Sequence, residues 1–109
     1  MKKKGAMSGT TVAGNTGDAG PYSYQLSSPT ALTVDPYGFI YVLDSGNSRI
    51  QKWFPGGSYG STVVAASMST PYGMTVDNQG NLVVADTFFS RISSYSLTCR
   101  KFLDYLQIF

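Results

Sequence analysis

Residues 29–53, PTALTVDPYGFIYVLDSGNSRIQKW, decide the fold because residues 71–95, PYGMTVDNQGNLVVADTFFSRISSY, repeat their pattern. A shift of 42 positions aligns residues 28–53 with residues 70–95 without a gap, and 10 of the 26 aligned positions are identical. The identities include a proline, a glycine, two aspartates and an arginine, which chance does not place in register. A fixed period of about 20–50 residues is typical of solenoids, propellers and arrays. The sequence therefore predicts a repeat protein.

Each unit has the pattern of short strands separated by turns. Apolar and β-branched residues fill the runs, and glycine, proline, asparagine or aspartate stand between them. The predicted strands are 31–35, 39–43, 49–54 and 61–66 in the first unit, and 72–77, 81–86 and 91–95 in the second. The nearly continuous apolar run at 39–43 is typical of a strand covered on both faces. Four short antiparallel strands per unit, apolar on both faces, predict an all-β chain of propeller blades.

The repeat divides the chain of 109 residues into five segments. They are a disordered basic tip (1–8), the last strand of a preceding blade at 9–14 with a long loop (9–27 together), a first blade (28–69), a second and incomplete blade (70–96), and an irregular tail or fourth strand (97–109). Two four-stranded antiparallel blades make an incomplete ring, because propellers have about four to eight blades. We expect closure by further blades of a longer parent chain or by a homo-oligomeric ring, for example three copies.

Each unit also follows one order of marker residues. A proline opens a strand that ends in aspartate, a glycine and an aliphatic strand ending in aspartate follow, and a polar turn leads into Arg-Ile. The markers are Pro29, Asp35, Gly38, Asp44, Arg49 and Ile50 in the first unit and Pro71, Asp77, Gly80, Asp86, Arg91 and Ile92 in the second. This pattern resembles the NHL-repeat family over roughly residues 9–95, with Ser48 and Ser90 where the family has histidine. The resemblance implies a fragment of a six-bladed propeller and a module for protein–protein interaction, such as the scaffold or substrate-recognition part of ubiquitin-ligase-type proteins.

The composition excludes several kinds of site. The chain has no histidine and one cysteine, Cys99, which rules out a His/Cys zinc site, a Ser-His-Asp triad and an internal disulfide within one chain. Three of the eight basic residues lie at positions 2–4, and the others leave no basic face for nucleic acid. No apolar run approaches the ~18 residues of a membrane span, and no secretory signal is present. We therefore expect a non-catalytic chain without cofactor or metal, with no nucleic-acid or membrane partner, and in the cytoplasm.

The repeated charged residues are predicted to build the blades. Asp44 ends a second strand and Arg49 begins a third strand five residues later, and Asp86 and Arg91 repeat this spacing. Across a short turn the carboxylate and the guanidinium can form a charge-assisted hydrogen bond. Since arginine stays protonated and the pair recurs in both units, we interpret both as structural ion pairs. Asp35 and Asp77 are predicted to cap backbone N–H groups in their turns.

One rim of the propeller is the candidate binding surface. Because neighbouring strands run in opposite directions, the connections 15–28, 45–48, 66–70 and 87–90 are expected on the same rim. Phe-Phe stands in the second unit where the first has an ordinary Gly-Asn turn. The predicted contact patch for a protein or peptide consists of Tyr22, Tyr24, Asn47, Phe88 and Phe89. The alternative is that these rings fold inward over the seam between blades or into a missing neighbouring blade.

Two other functions stay open at this stage. The aromatic content of 14% favours a two-bladed lectin that closes its ring by oligomerisation, because sugars stack on exposed rings. Related lyase and lactonase-like propellers place metal ligands, partly histidine, along the central channel. A fragment of such a metal-dependent enzyme is the second alternative, with its ligands supplied by other blades.

Overall fold

Two antiparallel sheets make up the fold in a computed structural model that describes residues 8–66, 68 and 71–97. The first sheet contains β1 (Pro29–Val34), β2 (Ile40–Asp44), β3 (Arg49–Trp53) and β4 (Gly60–Ala65) in that order. The second contains β5 (Pro71–Val76), β6 (Asn81–Asp86) and β7 (Arg91–Ser96). Each strand pairs with the next along the chain, and a single 3₁₀ turn at Ser45–Asn47 is the one other element between described strands. The prediction of all-β propeller blades in an incomplete ring is confirmed.

The strand boundaries agree with the sequence pattern to within two residues, and the differences lie at the two ends of the chain. The second sheet has three described strands. Residues 98–109, where a tail or fourth strand is predicted, lie outside the described residues, as do residues 1–7 of the basic tip. Residues 9–14, where the sequence predicts a strand, are irregular and pair with no described strand. The strand of a preceding blade stays a prediction, because a strand forms only where a neighbour takes its backbone hydrogen bonds.

An aspartate organises the turn between the first two strands of each sheet. Asp35 Oδ1 accepts hydrogen bonds from the backbone N–H groups two and four residues later, at 2.9 and 3.0 Å. Asp77 Oδ1 accepts the same two bonds, both at 2.9 Å. Hydrogen bonds to its carboxylate hold the pKa of Asp77 below its ordinary value. The largest contributions come from the backbone N–H and the side-chain amide of Asn81, and a smaller one comes from the backbone N–H of Gln79. The equivalence of the two turns is the local reason that both sheets start in the same way.

Tyr41 links this turn to the core and makes stability depend on pH. Its buried hydroxyl donates to Asp35 Oδ2 at 3.2 Å, and burial, assisted by the Asp35 charge, raises the pKa of Tyr41 to about 12. A raised pKa favours the neutral hydroxyl in the folded state, so this contribution is complete below pH 10 and is lost as the pH rises towards 12. We expect wild-type stability to fall by about 2–3 kcal/mol more than that of Tyr41→Phe over this range.

Urea unfolding between pH 9 and pH 11.5 measures the difference between the two slopes. Tyr37→Phe, which removes one hydroxyl from an exposed position, is the matched control. Equal slopes for the wild type and Tyr41→Phe would contradict the prediction.

The core lies between the two sheets. Its buried side chains are Tyr41, Leu43, Ile50, Val64, Met68, Leu82 and Val84. Through the 42-residue shift, Leu82 and Val84 correspond to Ile40 and Val42 of the first sheet. Since successive strand residues point to opposite faces, Ile40 and Val42 lie on the face of the first sheet opposite to Leu43. The sheets therefore pack front to back, as successive blades do around a propeller.

Two hydroxyl groups join the sheets at the seam between β1 and β5, which are neighbours in space. Thr30 Oγ1 donates to the carbonyl oxygen of Pro71 at 2.6 Å, and Ser45 Oγ donates to the same oxygen at 3.3 Å. Because each hydroxyl has one proton, the close contact between the two hydroxyl oxygens replaces one of these two bonds and does not add to them. The proline carbonyl at the start of the second blade is thus held by the first blade.

Candidate functional site

The buried carboxylate of Asp44 stands at the centre of the most connected polar cluster in the described structure. Its Oδ2 accepts from Arg49 Nε at 2.7 Å and from Asn47 Nδ2 at 2.8 Å, and its Oδ1 accepts from the Ser27 N–H at 2.6 Å. Asn47 Nδ2 also donates to the carbonyl oxygen of Gly20 at 3.0 Å. The amide nitrogen of Asn47 is therefore committed to the scaffold. Its predicted place in a binding patch stays a prediction.

Arg49 uses the rest of its guanidinium to fasten residues 20–25 onto the first blade. Nη1 donates to the Pro21 carbonyl at 2.9 Å, and Nη2 donates to the carbonyls of Tyr22 at 3.1 Å and Gln25 at 2.9 Å. The planar fork of arginine suits several acceptors at once. Sequence reasoning predicts the pairing with Asp44 but not these acceptors, since they lie 24–28 positions earlier in the chain and carry no local signal.

The second blade has the same ion pair in a more open setting. Arg91 lies 3.0–3.1 Å from the buried Asp86 through Nη2 and Nε. The Arg91 side chain is 50% exposed, whereas that of Arg49 is 13% exposed. The structure thus brings together both pairs that the sequence singles out. Among the described residues, a segment of the chain (residues 20–25) covers the Asp44–Arg49 pair, and no described segment covers the Asp86–Arg91 pair in the same way.

Tyr22 and Tyr24 form a stacked pair on that fastened segment. Their ring centroids are 6.1 Å apart with an interplanar angle of 17°, and both rings are exposed. Between them, the Ser23 carbonyl accepts from the N–H of Gly60, which lies at the opposite end of β3 from Arg49. The connection therefore runs along the face of the first blade and does not stay on one rim. This corrects the placement of all of residues 15–28 on a single rim.

Phe88 and Phe89 form a second pair in the turn between β6 and β7. Their rings pack edge to face, 5.2 Å apart at 83°, and the Arg91 guanidinium lies 4.8 Å from the centre of the Phe89 ring. Phe88 is 68% exposed and Phe89 is also exposed, so these rings do not fold inward. Among the described residues, no ring contact joins this pair to the two tyrosines. The structure gives two separate aromatic pairs in place of one patch.

The Phe-Phe turn has no counterpart in the first blade. A Cβ at Gly46, the residue equivalent to Phe88, would lie 2.6 Å from the Ser27 carbonyl oxygen, so no side chain fits there. Both turns nevertheless end alike, since Ser48 and Ser90 have φ values of 51° and 53°. The turn can be made without aromatic rings, and the two phenylalanines exceed what it needs.

The first unit also matches a known repeat. Residues 26–53 match the family profile described as NHL repeat. The matched residues extend from the end of the fastened segment through β3, so that the NHL repeat includes the Asp44–Arg49 pair. Residues 71–95 repeat its pattern in the second sheet. None of the curated proteins compared with the chain matches it.

Two searches of the described residues gave no site of another kind. Within residues 8–66, 68 and 71–97, no group of three His, Cys, Asp or Glu side chains is placed to hold a metal ion. No helix in this part of the chain has the length and apolar character required to cross a membrane.

Proposed function

We propose that the chain is a non-catalytic NHL-repeat module that binds a protein or peptide, with Phe88 and Phe89 as its main contact. The proposal is carried by the exposure of both rings at a turn for which the first blade uses Gly46 and Asn47. Apolar rings in water are unfavourable for the isolated chain, and a partner that covers them removes that surface from solvent. Binding supplies the reason for these residues that turn formation does not.

The turn that carries Phe88 and Phe89 is held at both of its ends. It lies between the buried end of β6 and Arg91, and a backbone hydrogen bond of 3.1 Å from Ser90 to Thr87 closes the turn. The edge-to-face contact fixes Phe88 and Phe89 relative to one another. A pair that is already ordered loses little conformational entropy on binding, and exposed aromatic anchors of this kind dominate many interfaces. We expect the partner to present apolar side chains that fit around the two rings.

The test exchanges turn sequences between the blades. In the Phe88→Gly/Phe89→Asn variant the second blade carries the Gly-Asn turn that the first blade already forms. Peptides selected against the wild-type chain from a random library displayed on phage are expected to bind this variant about thirtyfold more weakly or worse, since truncating a hot-spot ring costs about 2 kcal/mol. Biolayer interferometry with the synthesised peptides measures the loss.

The matched control changes an aromatic residue on another turn in the same way. Tyr37→Gln gives the first blade the residue that the second blade has at position 79, and Tyr37 is strongly exposed. This control is expected to bind the peptides like the wild type. Selected peptides that bind equally well to the Phe88→Gly/Phe89→Asn variant would contradict the proposal, provided that its circular dichroism spectrum is that of the wild type.

A further inference from the structure

The second sheet exposes a face that its counterpart in the first sheet buries. Ile92 is 70% exposed, whereas Ile50, its equivalent, is fully buried in the seam. Ala85 is the cross-strand partner of Ile92, and Val83 lies on the same face because strand residues alternate. We call Val83, Ala85 and Ile92 the tail face. The tail face therefore corresponds to the face of the first sheet that packs against the second sheet.

The first sheet exposes the complementary kind of face. Leu32 and Val34 are 60% and 50% exposed, and Ile40 shares their face as the cross-strand partner of Val34. We call these three residues the head face. The equivalents of the head face pack in the seam against the first sheet, and they are Met74, Val76 and Leu82.

Residues 9–14 carry the pattern of a fourth strand without its partner. Their sequence, GTTVAG, agrees with the β4 sequence GSTVVA at the glycine, the threonine and the first valine. Gly60, which begins β4, is the cross-strand partner of Trp53, and the Trp53 ring fills the space that a Cβ would need. Gly9 stands at the same place in its segment, and Tyr95 is the equivalent of Trp53. Residues 9–14 therefore suit the edge of β7 as β4 suits the edge of β3.

The same segment already lies where such a strand belongs. Residues 11–13 line an open groove of about 410 Å³ on the first blade, together with Leu32 and Ile40. In the seam between the blades, Val64 of β4 packs in one cluster with Leu82, the equivalent of Ile40. Residues 11–13 thus lie against the first blade in the same position as β4 lies against the second blade.

We propose that a second copy of the chain completes the second blade. Residues 9–14 of the second copy add to β7 as an antiparallel fourth strand, and its head face packs on the tail face of the first copy. The seam inside one chain supports a second copy as the partner. In that seam the equivalent of the head face, on the second sheet, already packs on the equivalent of the tail face, on the first sheet. Within the head face and the tail face the replacements are apolar for apolar, whereas Asn81 stands where the seam inside the chain has Phe39.

The polar part of the seam matches at one of its two hydroxyls, since the equivalent of Thr30 is Tyr72 and not a serine or threonine. The Ser45 hydroxyl that bonds the Pro71 carbonyl has Thr87 as its equivalent in the second blade. Pro29, which is exposed, is the equivalent of the buried Pro71. In the assembly, the Thr87 hydroxyl donates to the Pro29 carbonyl of the second copy. The seam between copies therefore repeats the hydroxyl-to-carbonyl bond of the seam within the chain.

The contact is head to tail, so it continues from copy to copy until the ring closes. Propellers contain about four to eight blades, which corresponds to closed rings of two to four copies of this two-bladed chain. The inference does not rest on the proposed function. Gly46 and Asn47, the equivalents of the two phenylalanines, contact Ser27 and Gly20 and not the second blade.

The test measures the mass of the full chain by light scattering after size-exclusion chromatography. We expect the wild type at two to four times the 11.7 kDa of one chain. Ile92→Arg places a charge on the tail face, and Thr11→Pro/Val12→Pro prevents residues 9–14 from pairing as a strand. Each variant alone is expected to be monomeric. An equimolar mixture is expected to give a 1:1 dimer, because one variant keeps its tail face and the other keeps its strand and head face.

Two controls separate assembly from folding and from the proposed function. Tyr37→Arg adds the same charge away from both faces and is expected to keep the wild-type mass. Phe88→Gly/Phe89→Asn is also expected to keep it, so that loss of peptide binding and loss of assembly are distinguishable.

A wild type that is monomeric at high concentration would overturn the proposal, as would either blocking variant with the wild-type mass. If a blocking variant does not fold, hydrogen exchange in the wild type decides. Protection of the amides of residues 9–14 must then rise with protein concentration, and protection that is independent of concentration would also overturn the proposal.

Discussion

Replacement of Arg49 by alanine is expected to lower the free energy of unfolding by about 3–5 kcal/mol, which is typical when one partner of a buried ion pair is removed. The fully buried Asp44 loses its charged partner, and the carbonyls of Pro21, Tyr22 and Gln25 lose their donor. Urea unfolding followed by the fluorescence of Trp53, the single tryptophan, measures the loss at a fixed protein concentration.

The second blade provides the matched control for this prediction. Arg91→Ala also leaves a buried aspartate without its guanidinium, but because the Arg91 side chain is half exposed we expect a smaller loss, about 1–3 kcal/mol. Arg49→Lys is expected to recover only a small part of the loss, since an ammonium group cannot serve the carboxylate and three carbonyls in the fork geometry. Equal losses for Arg49→Ala and Arg91→Ala would show that fastening residues 20–25 contributes nothing to stability.

The second large effect is expected at Gly60. In Gly60→Ala the new Cβ would lie 2.7 Å from Nε1 and 2.9 Å from Cε2 of Trp53, whose ring is buried and rigid. Overpacking of this kind costs about 1–3 kcal/mol. We expect this loss of unfolding free energy together with a shift in the emission maximum of Trp53, because the ring must move. Unchanged stability with an unchanged spectrum would contradict the prediction and would mean that β4 moves away from the Trp53 ring without cost.

Gly73→Ala is the control for adding a methyl group within a strand. A Cβ at Gly73 would meet the nearest atom, Ala85 Cβ, at 3.7 Å, which is an ordinary contact. The first blade has Ala31 at the equivalent position. We expect stability to rise by about 0.4–1 kcal/mol, because alanine has less conformational freedom than glycine in the unfolded chain.

The features predicted from the sequence are those that repeat or act locally. The strands follow from runs of apolar residues, the caps at Asp35 and Asp77 follow from turn chemistry, and both ion pairs follow from a spacing of five residues. Each depends on neighbours within one hairpin, so the local sequence contains the information. Because the pattern recurs 42 positions later, each of these strands, caps and ion pairs is predicted independently in both units.

The features that were missed depend on distant parts of the chain. The path of residues 20–25 along the first blade is set by Arg49 and by the N–H of Gly60, both more than 20 positions away. For this reason the sequence does not predict that the segment with Tyr22 and Tyr24 leaves the rim, nor that the Asn47 amide bonds Gly20 and Asp44. The segment at 9–14 has the pattern of a strand, but pattern alone does not supply the neighbour with which a strand must pair.

The aspartate turns also have a consequence for the order of folding. The bonds to Asp35 and Asp77 close loops of two to four residues, whereas those that fasten residues 20–25 to Arg49 close loops of 24–28 residues. Short loops lose less chain entropy on closure, so the hairpins β1–β2 and β5–β6 are the natural nuclei. The chain consequently gains its first order at two independent points, and residues 20–25, which are held through longer loops than the hairpins, dock later and detach earlier during unfolding.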